Sequence, residues 1–419
     1  MITEQKTNIL RDIVSKQIEN LKVKLSREYI PREVLKKAEE LFKSNLIKVI
    51  TGPRRAGKSV LALLLLKDKD FAYLDLDDEY LKEIVKGLGH YEILMDVLKK
   101  VYGDTKNIFI DEIQNLPRWE LFANRLHGQG YNLLLTGSNS NLLSRELSTH
   151  LTGRHYAIEI MPFSYGEFIL NGIRNNATQN LKDYMEKGGY PEIVTGSDKP
   201  ESYLTALFNS IIYKDIISRY KVRHADELNL VSEYLLNNFS KEVSFKKISS
   251  LLGIVSPNTI KSYLRYLEES YLFFILNRFS LKIGERMKSP KKVYVVDNGY
   301  IKAKSTQISP DYGKLLENMF FMELVKKGFV PNKEIFYYKT RNQKEIDFVV
   351  VRNLEKKLFQ VSYDISDMDT RKREVKALIE AGQDLVTDEL YIITFDREEI
   401  IEQSGKRIKV IPFGKWALE

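Results

Sequence analysis

The sequence of 419 residues contains no cysteine, only five histidines and no long apolar run. The absence of cysteine excludes disulfide bonds and thiolate metal sites, and because histidines are also sparse we expect any bound metal to have oxygen ligands. The longest apolar run, Val60 to Leu66, is far too short to cross a bilayer. The histidines show no zinc-like pairing along the chain, since they stand at positions 90, 127, 150, 155 and 224.

Glycine (22) and proline (11) are too scarce for a collagen-like or low-complexity chain. The polar start, MITEQKTNILRD, is not a signal peptide, and we expect a cytoplasmic protein. The 65 Lys and Arg against 57 Asp and Glu give a net charge of +8. This mild basic excess permits nucleic-acid partners without requiring them. The length by itself predicts two to three domains.

Apolar runs alternate with helical stretches between residues 46 and 162. Such alternation predicts a parallel sheet with crossover helices. Before it, residues 1–45 are predicted to form one or two polar helices, the second starting at Pro31. The predicted strands are LIKVIT (46–51), FAYLDL (71–76), NIFIDEI (107–113), NLLLTGS (132–138) and AIEIMP (157–162).

A glycine-rich segment follows the first predicted strand. Residues 52–59 read GPRRAGKS and fit G-x-x-x-x-G-K-[ST], with an apolar helix after them. The glycines let backbone N–H groups curl around phosphate oxygens at a helix N-terminus. We predict that Lys58 neutralises the β- and γ-phosphates and that the Ser59 hydroxyl binds Mg²⁺. The predicted nucleotide-binding residues are Gly52, Pro53, Arg54, Arg55, Ala56, Gly57, Lys58, Ser59 and Val60.

The third predicted strand, NIFIDEI, carries two adjacent acidic residues near its end. Asp111 is predicted to hold the Mg²⁺ ion, and Glu112 to orient or deprotonate the attacking water. The run FAYLDL lies between the two motifs in the chain, an order that predicts a strand between the phosphate-loop strand and the acidic strand. The arrangement resembles the P-loop subclass with an added strand and a catalytic glutamate, which contains the AAA+ ATPases. Because no guanine-reading motif is present, we expect ATP rather than GTP.

Three further features fit that subclass, each with an ordinary alternative. Ser138, in the TGSN that ends the fourth strand, stands where a polar sensor would touch the γ-phosphate or the water, although a polar strand end is often a turn. Arg154 precedes the fifth strand, where AAA+ subunits carry an arginine that reaches a neighbour's γ-phosphate; the alternative is a surface or ion-pair residue. Pro191, in GGYP, resembles the nucleotide-contacting lid proline, but such a run also forms plain turns.

Residues 226–280 have the order of a winged helix-turn-helix: helix, helix, tight turn at Gly253, helix, strand. Ser256 and Pro257 suit the start of the third helix. A basic linker follows at 282–292, with five Lys or Arg and one Glu. DNA contact and a packing module without nucleic acid both remain open. The residues predicted to line the exposed face of the third helix are Lys261, Ser262 and Arg265.

The C-terminal part carries a spaced set of polar residues on a helix and two strands. Glu317 lies on a predicted helix, Asp347 in a strand that opens with EID, and Gln360 and Ser362 on the next strand. The spacing resembles PD-(D/E)xK nucleases, in which carboxylates hold Mg²⁺ and a lysine activates water. Here Gln360 replaces an acid and Ser362 replaces the lysine. We therefore expect a surviving fold without cleavage, with an active nuclease as the alternative.

Eight motifs between about residues 27 and 365 together resemble a widespread archaeal and bacterial family of AAA-type ATPases with a degenerate nuclease-like C-terminal domain. The resemblance implies an α/β fold class: an AAA+ core, a helical lid, a winged helix and a restriction-endonuclease-like domain. The motifs are GPRRAGKS, FIDEIQ, LLTGSNSNLL, LTGR, MPFSYGEF, GGYPE, YLRYLEES and EIDFVV.

These observations predict an ATP-binding, Mg²⁺-dependent ATPase. We expect it to couple nucleotide state to movement of its C-terminal modules, with DNA and further copies of itself as candidate partners. One alternative is a slow nucleotide-gated switch that binds DNA or protein; another is an ATP-regulated nuclease. The predicted parts are a helical leader (1–45), the ATP-binding core (46–162), a lid (163–225), the winged helix (226–290) and the nuclease-like domain (291–419).

Overall fold

The structure, a computed structural model, describes residues 2–86, 91–140, 153–171, 176–254, 256–306 and 309–419. The chain forms two compact units, Met1–Met161 and Pro162–Glu419. His90, His150 and Thr152, which belong to patterns considered above, lie outside the described residues. Among the residues that are described, no helix has the length and apolar character needed to cross a membrane.

The first unit contains a five-stranded parallel sheet in the order β2-β3-β4-β1-β5. The predicted parallel sheet is therefore confirmed, and each strand begins within two residues of its predicted start. The alternation of short apolar runs with helical stretches was sufficient to predict these strands. The strands are β1 (Ile47–Thr51), β2 (Phe71–Asp75), β3 (Asn107–Asp111), β4 (Asn132–Gly137) and β5 (His155–Glu159).

The predicted position of FAYLDL in the sheet was wrong. This run forms β2, which lies at the edge beside β3. The strand between the phosphate-loop strand β1 and the acidic strand β3 is β4. The order of strands along a chain is not their order in a sheet, because crossover connections can insert a later strand between two earlier ones.

Helices cover both faces of this sheet, because successive residues of a buried strand point to opposite sides. In β1, Val49 belongs to one hydrophobic core and Ile50 to the other. α1, α5 and α6 contribute to the first core, and α2 and α3 to the second. The helices of the unit are α1 (Ile2–Leu25), α2 (Leu35–Phe42), α3 (Lys58–Leu66), α4 (Glu79–Lys86), α5 (Tyr91–Tyr102) and α6 (Trp119–Gly128).

The N-terminal helices belong to the same compact unit as the sheet. The Gln17 side-chain amide donates to the Asp75 carbonyl at 2.9 Å, and the Asp75 N–H donates to the Gln17 Oε1 at 3.0 Å. Through this amide, α1 pairs with the backbone of the edge strand β2 as a further strand would. The prediction that the second helix starts at Pro31 was wrong, since α2 begins at Leu35.

The second unit opens with a helical region. Most of residues 163–225 are helical, as predicted, and a stretch of π-helix (Ile211–Ile217) interrupts the series. Its helices are α7 (Tyr165–Leu170), α8 (Ala177–Lys187), α9 (Pro191–Val194), α10 (Pro200–Ser210) and α11 (Ser218–Tyr220).

A three-stranded antiparallel sheet with the order β6-β8-β7 comes next. The predicted basic linker does not remain a linker: Lys291 and Lys292 are in β8, and a short helix precedes them. The predicted boundary at residue 290 therefore falls between paired strands of one sheet. The elements are α12 (Ala225–Asn237), β6 (Glu242–Val243), α13 (Phe245–Leu252), α14 (Pro257–Glu269), β7 (Phe273–Leu276), α15 (Ile283–Lys288) and β8 (Lys291–Val295).

The rest of the second unit contains a mixed six-stranded sheet in the order β13-β14-β12-β11-β10-β9. Its helix α17 is buried along nearly its whole length, and α18 packs on the sheet. The helices are α16 (Asn298–Lys304), α17 (Tyr312–Lys326), α18 (Met368–Leu385) and α19 (Phe413–Leu418). The strands are β9 (Ile335–Lys339), β10 (Glu345–Arg352), β11 (Glu355–Val361), β12 (Leu390–Thr394), β13 (Glu399–Gln403) and β14 (Lys406–Pro412).

Candidate functional site

The segment 52–57 forms a loop between β1 and α3. Gly52 has φ +145°, and a Cβ at this position would lie 2.0 Å from the Ile160 carbonyl oxygen. Only glycine allows that approach. Arg55 also has a positive φ, of 66°, and Gly57 precedes the first residue of α3. The loop therefore turns back on the N-terminus of a helix, the arrangement that binds phosphate groups through backbone N–H.

Three side chains meet at the carboxyl ends of β1 and β3. Lys58 is 4% exposed, and its ammonium donates to the carbonyl oxygens of Pro53 at 3.0 Å and Gly52 at 3.3 Å. The Ser59 hydroxyl donates to Asp111 Oδ1 at 2.9 Å. A lysine, a hydroxyl and a carboxylate thus lie together at the predicted phosphate and metal positions.

Glu112 is held on three sides. Its Oε1 lies 3.6 Å from Lys58 Nζ, and its Oε2 accepts a hydrogen bond from the Gln114 amide. Its backbone N–H donates to the Thr136 hydroxyl at 3.0 Å, and that hydroxyl donates to Asp111. Glu112 also has φ 52°, a left-handed conformation that costs a non-glycine residue about 1–3 kcal/mol. Strain of this kind is maintained where a side chain must point in one direction.

The two acidic side chains are in different electrostatic states. Burial, together with the charges of Glu112 and Asp75, raises the pKa of Asp111 to about 6. Burial also acts to raise the pKa of Glu112, but the Lys58 ammonium and the Gln114 amide hold it below its ordinary value. Among the described residues, no cation is a main influence on the pKa of Asp111, whereas Lys58 is one for Glu112.

Other predicted residues fall in the same region. Ser138 is buried, and its hydroxyl accepts from the Gln114 amide at 3.3 Å, so the predicted sensor lies beside Glu112. Arg54 forms an ion pair with Asp77 at 3.6 Å. Val60 lies in the first turn of α3.

Arg154 does not join this group. It is exposed and directly precedes β5, where its carbonyl accepts from the Ile47 N–H at 2.9 Å. The register of β1 and β5 pairs Ile47 with His155 and Thr51 with Glu159. Arg154 precedes His155 and is therefore level with Leu46, at the amino ends of the strands. The six residue steps from Leu46 to Gly52 separate it from the phosphate loop by about 20 Å at roughly 3.3 Å per residue.

Pro191 is the first residue of α9, in the second unit. The glycines before it meet Asp297: the Gly189 N–H donates to Asp297 Oδ2 at 2.7 Å, and a Cβ on Gly188 would lie 1.7 Å from Oδ1. Tyr190 is fully buried and accepts from the Tyr300 hydroxyl at 3.0 Å. These contacts explain the GGY sequence by packing, and a nucleotide contact at Pro191 stays a prediction.

Sequence reasoning missed several residues of the nucleotide site. Arg32 is buried, and its guanidinium donates to Ala56 of the phosphate loop at 2.7 Å and to Met161 at 2.6 Å, in both cases to the carbonyl oxygen. These bonds draw residues 31–34 into a turn, which is why α2 starts late. Thr136 and Gln114 were present in the quoted motifs but received no role, although they position Asp111 and Glu112.

Lys292, a further residue that received no role from the sequence, lies among the acids that carry the nuclease resemblance. Its ammonium is 2.8 Å from Glu317 Oε1, 2.7 Å from Glu345 Oε1 and 3.1 Å from Asp347 Oδ1. Gln360 accepts from the Asp347 N–H at 2.8 Å. Because a buried cation already contacts all three carboxylates, these residues do not fit the Mg²⁺ ion that the resemblance implies. The Ser362 hydroxyl donates a hydrogen bond to the Asp364 backbone carbonyl at 2.9 Å.

The parallel sheet, the phosphate loop and the acidic strand define an AAA-type P-loop ATPase. A family model described as an AAA domain matches residues 44–169. Two models described as domains of unknown function, DUF8612 and DUF4143, match residues 178–311 and 312–416.

Relatives match nearly the whole chain. An uncharacterized protein of Methanocaldococcus jannaschii, MJ1544, is 34% identical over 428 residues, covering 96% of this chain and 94% of that protein. An uncharacterized protein of Haemophilus influenzae is 31% identical over 367 residues, covering 82% and 89%. The chain belongs to the family of these two proteins. A Walker-type ATPase of Pyrococcus abyssi is similar in structure, with 16% identity, a TM-score of 0.45, and coverage of 66% of this chain and 95% of that one.

Proposed function

We propose that this protein binds ATP with Mg²⁺ and hydrolyses the γ-phosphate. The observation that carries the proposal is the meeting of Lys58, Ser59, Asp111 and Glu112 at one end of the parallel sheet, with Glu112 fixed by Gln114. A phosphate-binding loop, a metal ligand pair and an oriented carboxylate are the parts that P-loop hydrolysis requires.

The magnesium fits the chemistry of its proposed ligands, Ser59 and Asp111. Both offer oxygen, the ligand atom that Mg²⁺ prefers, and their oxygens are 2.9 Å apart. The raised pKa of Asp111 reflects a buried carboxylate that a cation would stabilise. When bound with ATP, the ion would neutralise charge on the phosphate oxygens.

Lys58 and Glu112 have separate proposed roles, one toward the phosphates and the other toward the attacking water. In the structure Lys58 donates to backbone carbonyls and also lies 3.6 Å from Glu112. Phosphate oxygens are stronger partners for an ammonium than neutral carbonyls. We propose that Lys58 turns to the β- and γ-phosphates, that the pKa of Glu112 then rises, and that Glu112 becomes a better acceptor for the proton of the attacking water. Ser138 would sense the γ-phosphate beside it.

The decisive experiment compares two lysines of the same helix region. Lys58→Ala should abolish ATP binding and turnover, because it removes the cation that meets the phosphates. Lys67→Ala, at an exposed lysine just beyond the end of α3, is the matched control and should behave like the unmodified chain. Isothermal titration with ATP and a phosphate-release assay measure both effects. Normal binding and turnover in Lys58→Ala would refute the ATPase assignment.

Arg154 fits a role toward a second copy of the chain. It is exposed and far along β1 from the phosphate loop of its own sheet. We propose that it reaches the γ-phosphate in a neighbouring subunit, so that hydrolysis depends on a homo-oligomer. Light scattering with and without ATP tests this: an assembly that appears with nucleotide and whose turnover is lost in Arg154→Ala supports it, and a strict monomer with ATP bound contradicts it.

We further propose that nucleotide state moves the lid (163–225), with Pro191 as its nucleotide contact, and through it the C-terminal modules. The supporting feature is the position of α9, which begins at Pro191 after a turn fixed by Asp297. Hydrogen exchange with and without ATP tests the coupling. Slower exchange in α9 and in the following helices on ATP binding is expected, and unchanged exchange there would contradict it.

A DNA-related role is supported by the elements α12 to β8. Their order is helix, strand, helix, helix, strand, short helix, strand. Apart from the short helix α15 between the last two strands, it resembles the order of a winged helix-turn-helix, and Gly253 is left-handed in the turn. Lys261 and Arg265 are exposed on α14, and Ser262 is half-buried between them. We propose that α14 and the basic segment before β8 contact phosphates of DNA.

Labelled duplex DNA tests this contact by fluorescence anisotropy at several salt concentrations. The double variant Lys261→Ala/Arg265→Ala should weaken binding about tenfold and lower the salt slope by about 2, because two phosphate contacts are lost. Lys372→Ala, an exposed lysine on α18, is the control. An unchanged affinity and slope would contradict the contact. A high turnover rate without DNA would disfavour the alternative of a slow nucleotide-gated switch.

For the C-terminal part we propose a nuclease-like fold that does not cleave. The support is the order of α17, β10 and β11, which carry Glu317, Asp347 and Gln360. Incubation of plasmid DNA with ATP and either Mg²⁺ or Mn²⁺ should leave it intact. Cleavage that Asp347→Ala abolishes would instead support an ATP-regulated nuclease.

A further inference from the structure

Lys292 is the centre of a buried cluster of charges. Its side chain is 1% exposed, and its ammonium lies 2.8 Å from Glu317, 2.7 Å from Glu345 and 3.1 Å from Asp347. An ammonium has three N–H donors. Hydrogen bonds to Glu317 and Asp347 use two of these donors, and Glu345 is a third carboxylate in ion-pair contact with the same ammonium.

The cation and its carboxylates come from different sheets. Lys292 lies in β8 of the three-stranded sheet, whereas Glu345 and Asp347 lie in β10 of the six-stranded sheet and Glu317 lies in α17. Tyr294, on the same face of β8, donates to Glu317 at 2.8 Å. The cluster therefore ties β8 to both α17 and β10.

The other polar groups of the cluster are also occupied. Asp347 Oδ2 accepts the Val361 N–H at 2.9 Å, and the Gln360 amide donates to Glu374 and to the Glu345 carbonyl. Within the described part of the chain, no group of three or more acidic or histidine side chains is disposed to hold a metal ion. The carboxylates surround an ammonium rather than a position for a metal.

We propose that Lys292 takes the place of a metal ion in this cluster, so that the three carboxylates bind no divalent cation while Lys292 is present. The neighbouring carboxylates, Glu317 first, outweigh burial and raise the pKa of Lys292 well above its ordinary value, which keeps the side chain cationic. No residue of the nucleotide site takes part, so the behaviour of the cluster is independent of ATP turnover.

Mn²⁺ binding to the full-length chain without nucleotide tests the proposal. All variants carry Asp111→Asn, which removes the metal ligand of the phosphate-loop site. Lys292→Met deletes the ammonium at similar side-chain length. Lys339→Met is the matched control, because Lys339 lies at the edge of the cluster, 4.0 Å from Glu345 and 2.6 Å from Glu242. Electron paramagnetic resonance counts bound Mn²⁺, and melting curves are recorded in EDTA and in Mn²⁺.

The Asp111→Asn parent and the Lys339→Met variant should bind no Mn²⁺. Lys292→Met should melt about 10 °C lower in EDTA, because three carboxylates lose their cation. It should bind one Mn²⁺ per chain and regain part of its melting temperature, and Asp347→Asn should abolish both effects.

Two results would overturn the proposal. The first is Mn²⁺ bound to the parent and lost with Asp347→Asn, since a metal would then coexist with Lys292. The second is a folded Lys292→Met that takes up no Mn²⁺. If Lys292→Met fails to fold, Mn²⁺ binding to the Asp111→Asn parent, measured with and without Asp347→Asn, still tests the proposal. Bound Mn²⁺ that Asp347→Asn removes would overturn it, and no bound Mn²⁺ would support it.

Discussion

Two buried lysines, one in each unit, lie among acidic side chains, yet their partners differ. The Lys58 ammonium is 3.0 and 3.3 Å from two backbone carbonyls of the phosphate loop and 3.6 Å from one carboxylate. The Lys292 ammonium is within 3.1 Å of three carboxylates. The hydrogen-bond acceptors of Lys58 are neutral carbonyls, which a phosphate can replace. The partners of Lys292 are carboxylates, which a weaker acceptor cannot displace.

The partners of a buried lysine determine whether its charge is available to a ligand. Exchanging a carbonyl for a phosphate oxygen adds a charge-assisted hydrogen bond, so Lys58 gains by binding a nucleotide. Lys292 gains little from a further anion, because its charge is already met by three carboxylates, two of which accept hydrogen bonds from it. Both lysines are buried and both have an acid nearby, so the charge of the nearest acceptors is what separates a binding residue from a structural one.

The greatest change is expected in ATP turnover when the acid of the nucleotide site is replaced. Glu112→Gln should lower ATP turnover about 10²–10⁴-fold, because the amide no longer accepts the proton of the attacking water. ATP affinity should remain within a few-fold, since the phosphate loop, Lys58 and Asp111 are retained. Single-turnover phosphate release and equilibrium ATP binding separate these two quantities.

The control is the same kind of change in the other cluster. Asp347→Asn keeps the shape of the side chain, and the folded fraction of this variant should hydrolyse ATP at the unmodified rate. Equal losses of turnover in Glu112→Gln and Asp347→Asn would abolish the distinction between a reacting cluster and a structural one.

The next expected effect is on stability. Lys292→Met should lower the free energy of unfolding by about 3–5 kcal/mol, since it leaves buried carboxylates without their cation. Lys58→Met should cost less, because two of its three neighbours are uncharged carbonyls. The chain has two tryptophans, Trp119 in the first unit and Trp416 in the second. Urea unfolding of single-tryptophan versions therefore reports each unit separately, and a larger loss for Lys58→Met would reverse the comparison.

The two lysines also differ in how far the sequence could predict them. Lys58 is part of an eight-residue motif, and its loop, strand and helix are consecutive in the chain. Lys292 meets its carboxylates only because β8, α17 and β10 pack together, and the sequence predicted a linker that ends there. Contacts that depend on the packing of distant elements leave no local pattern to read.

The same limit explains the errors in the first unit. The strands themselves followed from alternating apolar and helical runs, but the edge position of β2 depends on crossover connections. The late start of α2 depends on the bonds of Arg32 to Ala56 and Met161, which lie 24 and 129 residues further along the chain. Local geometry was predictable, and the long-range hydrogen bonds that complete the site were not.

A smaller effect is expected from the carboxylate that lacks a cation. The pKa of Asp111 in the folded chain, about 6, lies above its ordinary value of 3.8. The native state therefore holds the proton more tightly than the unfolded state, and the free energy of unfolding falls as pH rises from about 4 to about 6. Asp111→Asn should raise the free energy of unfolding by about 1–3 kcal/mol at pH 7.5 in EDTA, and by far less at pH 4.

Urea unfolding at the two pH values, followed through Trp119, measures this effect. Mg²⁺ should reduce the difference between the two proteins at pH 7.5, because it stabilises the ionised carboxylate of the unmodified chain. An Asp111→Asn variant that is less stable at pH 7.5 would show that the carboxylate is already compensated, as Glu112 is by Lys58.

The smallest expected effect tests Gln114 as a positioning residue for Glu112. Its amide donates to both Glu112 and Ser138, and its buried Oε1 has no hydrogen-bond partner among the described residues. Gln114→Ala should lower turnover about tenfold with unchanged ATP affinity, because the carboxylate loses a donor that orients it.

The pH profile distinguishes this role from a general loss of packing. The Gln114 amide helps to hold the pKa of Glu112 low, so its removal should raise that pKa. Glu112 accepts a proton only when ionised, and the acid limb of turnover against pH should therefore move to higher pH in Gln114→Ala. Gln114→Asn, which keeps a shorter amide, should recover part of the shift. A uniform loss of turnover at every pH would mean that Gln114 only packs, and that Lys58, with Arg54 and Ser138, keeps Glu112 ionised without it.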